Sequence, residues 1–237
     1  MQSNKIIIIA FLFIFFSCGD KLKHDEKIVK DYYSNDSLKS EIPYKDGQRH
    51  GLAKYYRKDG SLEKEINYKN DVPDGYSFWY HEDGLSIEGK GFWLYGKQFG
   101  SNESYYKDGT NKMYTSLDFI GETFFVIKWD EEGQQIKYEG LVFSPNIGLT
   151  ETKPKVGEKI QVRVAVATPP KTKTIIKMGL LEEDKQMIDI VDFSAMLPIT
   201  FKDTGNYTVV TIGELYNLNG VLLQRDSVAT NIYVSNR

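Results

Sequence analysis

Glycine recurs in this chain on a fixed period. Gly60, Gly84, Gly109 and Gly133 lie 24, 25 and 24 residues apart, and Gly51, Gly75 and Gly100 keep the same rhythm at 24 and 25. Four residues before each member of the first series stands an aromatic: Tyr56, Tyr80, Tyr105 and Trp129. Tyr44 and Tyr68 add a third series with the same 24-residue step. A repeat of this length is one supersecondary unit, too small to bury a core alone, so the units must stack on one another.

The first unit reads Tyr44-Lys45-Asp46-Gly47, His50-Gly51, Tyr55-Tyr56-Arg57-Lys58-Asp59-Gly60-Ser61-Leu62. The second reads Tyr68-Lys69-Asn70-Asp71, Asp74-Gly75, Trp79-Tyr80-His81-Glu82-Asp83-Gly84-Leu85. Asp-Gly pairs supply the positive φ angles of tight hairpin turns. The flanking alternation and aromatics suit pleated, half-buried strands. Each unit is expected to be a β-hairpin stacked on its neighbours. At these residues the sequence resembles the variant MORN-type repeats, in which Tyr-x-x-Gly-x-x-x-Gly precedes Tyr-Tyr-x-x-Asn/Asp-Gly-x-Leu. The resemblance covers residues 40–143 and fades toward Trp129-Asp130-Glu131-Glu132-Gly133. It implies an elongated sheet; relatives include proteins described as antitoxin-like and others tied to membranes or partners.

Trp79, Tyr80, Trp93, Tyr106 and Trp129 are the candidates for a binding face of stacked rings. The competing reading makes these rings the packing between hairpins, since aromatics carry the largest burial per side chain.

After Phe143 aromatics become scarce, and Ser144-Pro145-Asn146-Ile147-Gly148 marks a junction. Residues 159–167 alternate with Ile160, Val162, Val164 and Val166 on one face, and Pro169-Pro170 ends the strand. Further apolar runs at 175–181, 187–193, 197–201, 207–215, 221–223 and 228–234 predict an antiparallel sandwich over 144–237. Asp203, Gly205 and Tyr207 resemble the tyrosine corner of immunoglobulin-like domains, in which the tyrosine hydroxyl bonds back to the preceding loop. Val209 stands where such domains carry their second disulfide cysteine, and the segment has no tryptophan, so the resemblance implies a cysteine-free Ig-like β-sandwich. The expected fold is all-β: stacked hairpin repeats followed by this sandwich.

The chain opens with Lys5, an apolar run over 6–16, then Ser17-Cys18-Gly19. Eleven apolar residues are about half of the ~20 needed to span a bilayer, so residues 1–17 are expected to be a signal peptide. The run ending in Ser17-Cys18 resembles the lipobox of bacterial lipoproteins, although Phe15-Phe16 replaces the usual Leu-Ala type. The resemblance implies lipid on Cys18, with residues 18–39 as a polar tether to the envelope, most readily at an outer membrane. Asp36-Ser37-Leu38 and Asp226-Ser227-Val228 resemble the short O-glycosylation sites of Bacteroidota proteins.

A net charge of −3 provides no general attraction to nucleic acid. The single cysteine excludes an internal disulfide and a cysteine zinc site. His24, His50 and His81 have no metal-ligand spacing, and the acids of Asp130-Glu131-Glu132 and Glu182-Glu183-Asp184 sit at turns. No nucleophile elbow, phosphate loop or dinucleotide fingerprint occurs. The expectation is a non-enzymatic, cofactor-free and metal-free binding or scaffold protein, lipid-anchored in the envelope, with a protein or glycan partner. The alternatives are an envelope glycan-binding accessory protein or hydrolase, and an antitoxin-like inhibitor.

Overall fold

The structure, a computed structural model, describes residues 25–146, 148–149 and 153–236. The expected signal peptide, Cys18 and the start of the tether lie outside the described residues. Every regular element among the described residues is a β-strand. The first eleven are β1 (Glu26–Tyr32), β2 (Leu38–Lys45), β3 (Gln48–Arg49), β4 (Gly51–Tyr56), β5 (Leu62–Lys69), β6 (Val72–Tyr80), β7 (Ile87–Leu94), β8 (Lys97–Tyr105), β9 (Asn111–Leu117), β10 (Thr123–Trp129) and β11 (Gln135–Gly140). They form one antiparallel sheet in simple order, β1-β2-β4-β5 and on to β11, with the short β3 also on β2.

β1 starts at Glu26 and β2 at Leu38, so from Glu26 on the residues expected to belong to the 18–39 tether form a hairpin of the sheet. Val29 lies opposite Ile42 and Lys30 opposite Glu41, and the Lys30–Glu41 ion pair closes to 2.6 Å. β1 is an edge strand with both faces open, so nothing requires the apolar alternation that marks inner strands. Its polar composition therefore looks like a linker.

Two kinds of turn close most of the hairpins of the sheet. At one end Asp46-Gly47, Asn70-Asp71 and Tyr95-Gly96 each have two positive φ angles, as a type I′ hairpin requires. At the other end, in the turns at 57–61, 81–86, 106–110 and 130–134, only the glycine is left-handed. Here the aspartate serves as an acceptor: Asp59 Oδ1 takes the Ser61 amide at 2.9 Å and its hydroxyl at 2.7 Å, and Asp108 does the same for Thr110. Those hydroxyl and amide bonds hold both carboxyls below their ordinary range. A bulge precedes each of these turns, so Tyr56, Tyr80, Tyr105 and Trp129 occupy equivalent strand ends.

The remaining strands are β12 (Gly148–Leu149), β13 (Lys159–Ala165), β14 (Thr172–Leu180), β15 (Gln186–Ile188), β16 (Ile190–Val191), β17 (Ser194–Thr200), β18 (Gly205–Asn217) and β19 (Leu222–Val234). They pack as a β-sandwich of two four-stranded sheets, β12-β13-β17-β16 and β15-β14-β18-β19. The expected strand at 187–193 is divided between β15 and β16, which belong to opposite sheets. The runs at 221–223 and 228–234 are one continuous β19. Ile160, Val162, Val164, Ile176, Met178 and Val209 fill the core at 0–1% exposure. Burial of such side chains contributes ~1.5–3 kcal/mol each.

The sandwich covers one end of the repeat sheet. The buried Tyr114 hydroxyl accepts the Ser116 hydroxyl and the Thr168 amide, both at 2.8 Å. Tyr114, Phe125 and Ile127 pack with Ala167 and Leu215. Asp226 accepts the Val142 amide at 2.7 Å. Asp118, 1% exposed, accepts the amides of Ile120 and Glu122 at 3.0 Å, the Ser144 hydroxyl at 3.1 Å and the Asn146 amide group at 2.7 Å.

Candidate functional site

One line of paired residues crosses the repeat sheet from edge to edge: Lys30, Glu41, Lys54, Glu65, Phe78, Lys90, Glu103, Tyr114, Ile127 and Tyr138. Residues directly opposite in antiparallel strands share a face. The first seven positions form a charged, alternating row broken only by Phe78, and the last three lie beneath the sandwich. Lys54–Glu65 pairs at 3.6 Å and Lys90–Glu103 at 3.1 Å. Each glutamate also accepts a tyrosine hydroxyl: Tyr56 on Glu41 at 3.2 Å, Tyr80 on Glu65 at 2.7 Å and Tyr105 on Glu103 at 2.5 Å. Burial, then the bond to Glu65, pushes the Tyr80 hydroxyl up to about 12. The hydrogen bond from Lys30 draws Glu41 below its usual range.

Trp79 and Tyr80 are consecutive strand residues and therefore take opposite faces. On the face opposite the charged row, the Trp79 indole lies along Gly89 and Gly91; a Cβ at those glycines would stand 3.8 and 3.5 Å from the ring. Trp93 lies opposite Gly75 and Gln98 on this same face, its indole nitrogen buried without a hydrogen-bond partner. Nearby, the Tyr55 and Tyr68 hydroxyls meet at 3.3 Å, and the Arg49 guanidinium lies 4.3 Å above the Tyr68 ring.

Along the turn end, Tyr33, Arg57 and Tyr106, at equivalent positions, each reach to the next repeat. The Tyr33 hydroxyl donates to the Tyr56 carbonyl at 2.8 Å. Arg57 donates to the carbonyls of Tyr80 at 2.6 Å and His81 at 3.2 Å. The Tyr106 hydroxyl donates to the Trp129 carbonyl at 3.0 Å. The Trp129 ring itself packs toward the sandwich, where it lines a cleft of about 520 Å³ with Asn111, Gln135, Tyr138, Lys171 and Leu223.

The five aromatic candidates thus fall at four places, and do not make one continuous platform. Trp79 and Trp93 share a face, Tyr80 belongs to the charged row, Tyr106 is a turn-to-turn link, and Trp129 lines the cleft. The reason is strand parity, combined with a bulge at each aromatic strand end. The charged row has its own periodic signal, masked by the more conspicuous aromatics: Glu41 and Glu65 stand 24 residues apart, as do Lys30 and Lys54.

In the sandwich, the Tyr207 hydroxyl donates to the Asp203 carbonyl at 3.0 Å, and its ring lies 4.6 Å from that of Phe201. Gly205 sits between them with φ 141°, a backbone region suited to glycine. His50 contacts Asn70 at 3.3 Å, and Asp130 accepts the Gln134 amide at 2.7 Å. Among the described residues no three acidic or histidine side chains converge as metal ligands.

The MORN repeat variant family matches residues 25–46 and 49–70. These spans coincide with the β1–β2 and β4–β5 hairpins; the second is closed by the Asp59-Gly60 turn, and the first by a turn in which Asn35 accepts the Ser37 hydroxyl at 2.8 Å and Asp36 takes the left-handed φ of 62°. No match is found among curated proteins. Among solved structures, the chain is similar to a Corynebacterium diphtheriae protein described as membrane anchored, at 11% identity and a TM-score of 0.30. The alignment covers 90% of this chain and 54% of that one, so this chain spans about half its length.

Proposed function

We propose that the chain is a lipid-anchored cell-envelope protein that serves as a non-enzymatic binding or scaffold module. The observation that carries the reading is the uninterrupted register of the repeat sheet. One row of paired side chains runs through ten strands and ends under a sandwich docked by buried contacts. Such a sheet is an extended surface held at a fixed angle to a second domain, which suits presentation or bridging. Tyr80 and Tyr106 support the non-enzymatic reading, because their hydroxyls are engaged in bonds between strands and repeats. The strand order of the two C-terminal sheets and the Tyr207–Asp203 bond support an Ig-like sandwich. The anchor rests on the sequence around Cys18.

Photo-crosslinking in intact cells tests the surface. A crosslinker at Lys54 or Lys90 should yield a reproducible envelope adduct, and one at the exposed Gly60 turn should not. No adduct from either lysine across growth conditions rejects the reading. Cys18→Ala should abolish lipid labelling and membrane retention; retention of both rejects the anchor.

The cleft beside Trp129 favours a second reading, a glycan-binding accessory protein. A tryptophan flanked by Asn111, Gln135 and Lys171 offers a stacking surface with polar groups at its rim. Binding to a glycan panel that is lost in Trp129→Ala would support it, and a panel without binding would dispose of it.

A further inference from the structure

We infer that the outer edge of β1 pairs with β1 of a second copy of this chain, joining two repeat sheets into one. In β4, β6, β8 and β10 the corresponding edge receives the preceding strand, β2, β5, β7 and β9 respectively. Among the described residues no strand fills that edge of β1, and all seven of its residues are exposed. A row of open backbone donors and acceptors is a template for another strand. β1 has no proline, and Ile28 and Tyr32 are 66% and 58% exposed. Its four charged side chains are the remaining guard against pairing, and their order decides which strand can add.

The sequence of β1, Glu26-Lys27-Ile28-Val29-Lys30-Asp31-Tyr32, selects the second copy as occupant because it is self-complementary. With Val29 on a two-fold axis, antiparallel pairing sets Lys27 opposite Asp31 of the second copy, and Asp31 opposite its Lys27. Val29 meets Val29 between these two pairs. Ile28 falls beside Lys30, whose ammonium is already held by Glu41 and whose stem is free to cover apolar surface. The neighbouring registers fail. A two-fold axis between two residues is excluded, because opposite residues of an antiparallel pair share a face and such a register would bring opposite faces of the two sheets together. With the axis on Ile28, Lys27 loses its acid and Asp31 meets Asp25, while Glu26 gains only a lysine that Glu41 already holds. Like charges directly opposite are destabilising, and opposite ones favourable, by amounts that decide a register. The interface is isologous and closes at two copies. It does not depend on the lipid anchor or on the nature of any other partner.

The test is sedimentation of the purified full chain from low to high micromolar concentration. The wild-type chain should show a concentration-dependent dimer. Lys27→Glu and Asp31→Lys should each weaken it about tenfold or more, since each places like charges together twice. An equimolar mixture of the two variants should restore a dimer. In that pair the introduced acid at position 27 of one chain faces the introduced base at position 31 of the other, and the second contact keeps the original Lys27 opposite Asp31. Unchanged circular dichroism and melting of each single variant separate lost pairing from lost folding. Val29→Cys should form an interchain disulfide on oxidation above the level of the wild-type chain, whose Cys18 is the control. A wild-type chain that stays monomeric, single variants that dimerise normally, a mixture that stays monomeric, or no disulfide through position 29 each overturns the proposal.

Discussion

Phe193 stands on Gly100. The ring, at the tip of the turn between β16 and β17, occupies the space where a side chain at residue 100 would project: a Cβ there would lie 2.2 Å from it. Phe193 has φ 59° and Asp192 φ 45°, a type I′ pair without the glycine such turns favour. A bulky residue in that region is strained. Here the strain is offset by ring contacts, with Phe92 at 5.2 Å and Tyr76 at 6.4 Å. The contact joins the sandwich to the middle of the repeat sheet.

Gly100→Ala should therefore act on both counts, a side chain at φ 68° and a collision with Phe193. A loss of about 2–4 kcal/mol is expected. Phe193→Ala should cost about 2 kcal/mol, less than a fully buried phenylalanine, because the ring is half-buried. In both variants the segment 141–146 should become a site of limited proteolysis under native conditions. Chemical denaturation measures the loss of stability, and mass spectrometry of a native digest locates the cut.

Acid should loosen the same junction through Asp118. Burial alone would raise its carboxyl, but bonds from Asn146, the Glu122 and Ile120 amides and Ser144 outweigh this and lower it. A folded-state value below the unfolded one means stability that is fully present above the ordinary aspartate range near 4. That stability is lost as pH falls through the folded value. Melting temperatures measured from pH 7 downward should fall in this window. Asp118→Asn, expected to cost about 1–3 kcal/mol at neutral pH, should show a flatter acid limb.

Arg57 links two repeats through four acceptors: the Ser61 hydroxyl, the Leu62 carbonyl at 2.7 Å, and the carbonyls of Tyr80 and His81. Arg57→Ala should destabilise the repeats by about 1–3 kcal/mol. Arg57→Lys should recover little, because a single ammonium does not reproduce the planar fork that spans these acceptors. Hydrogen exchange should rise first in β6 and in the turn at 81–86.

Trp79 separates packing from binding. If the indole is what covers Gly89 and Gly91, Trp79→Ala should lower the repeat sheet's stability by about 2–3 kcal/mol. Gly91→Val should do comparable harm from the other side, since even a Cβ there lies 3.3 Å from the Asn102 side chain. A Trp79→Ala variant with unchanged melting would refute the packing role.

Much of this architecture was open to reading because its causes are local. Asp59-Gly60 and Asp108-Gly109 close turns whatever lies elsewhere, since glycine's backbone freedom and the aspartate oxygen act within a few residues. The alternation of 159–165 likewise reports one buried face. β1 escaped for the complementary reason, as an edge strand without a buried face has no alternation to display. The division of 187–193 escaped too, since a single residue, Asp189, separates β15 from β16 and carries no glycine or proline to mark the break.

By its own periodicity, then, the sequence determined that the chain is a stack of hairpins followed by a sandwich. Turn chemistry and the two-residue period of a strand operate on neighbours along the chain. Only the tertiary structure decided which rings face which way, which end of the paired row is covered, and that Phe193 rests on Gly100. Those outcomes follow from bulge-set parity summed over ten strands, and from apolar burial between residues far apart in sequence. Neither leaves a mark in a local window.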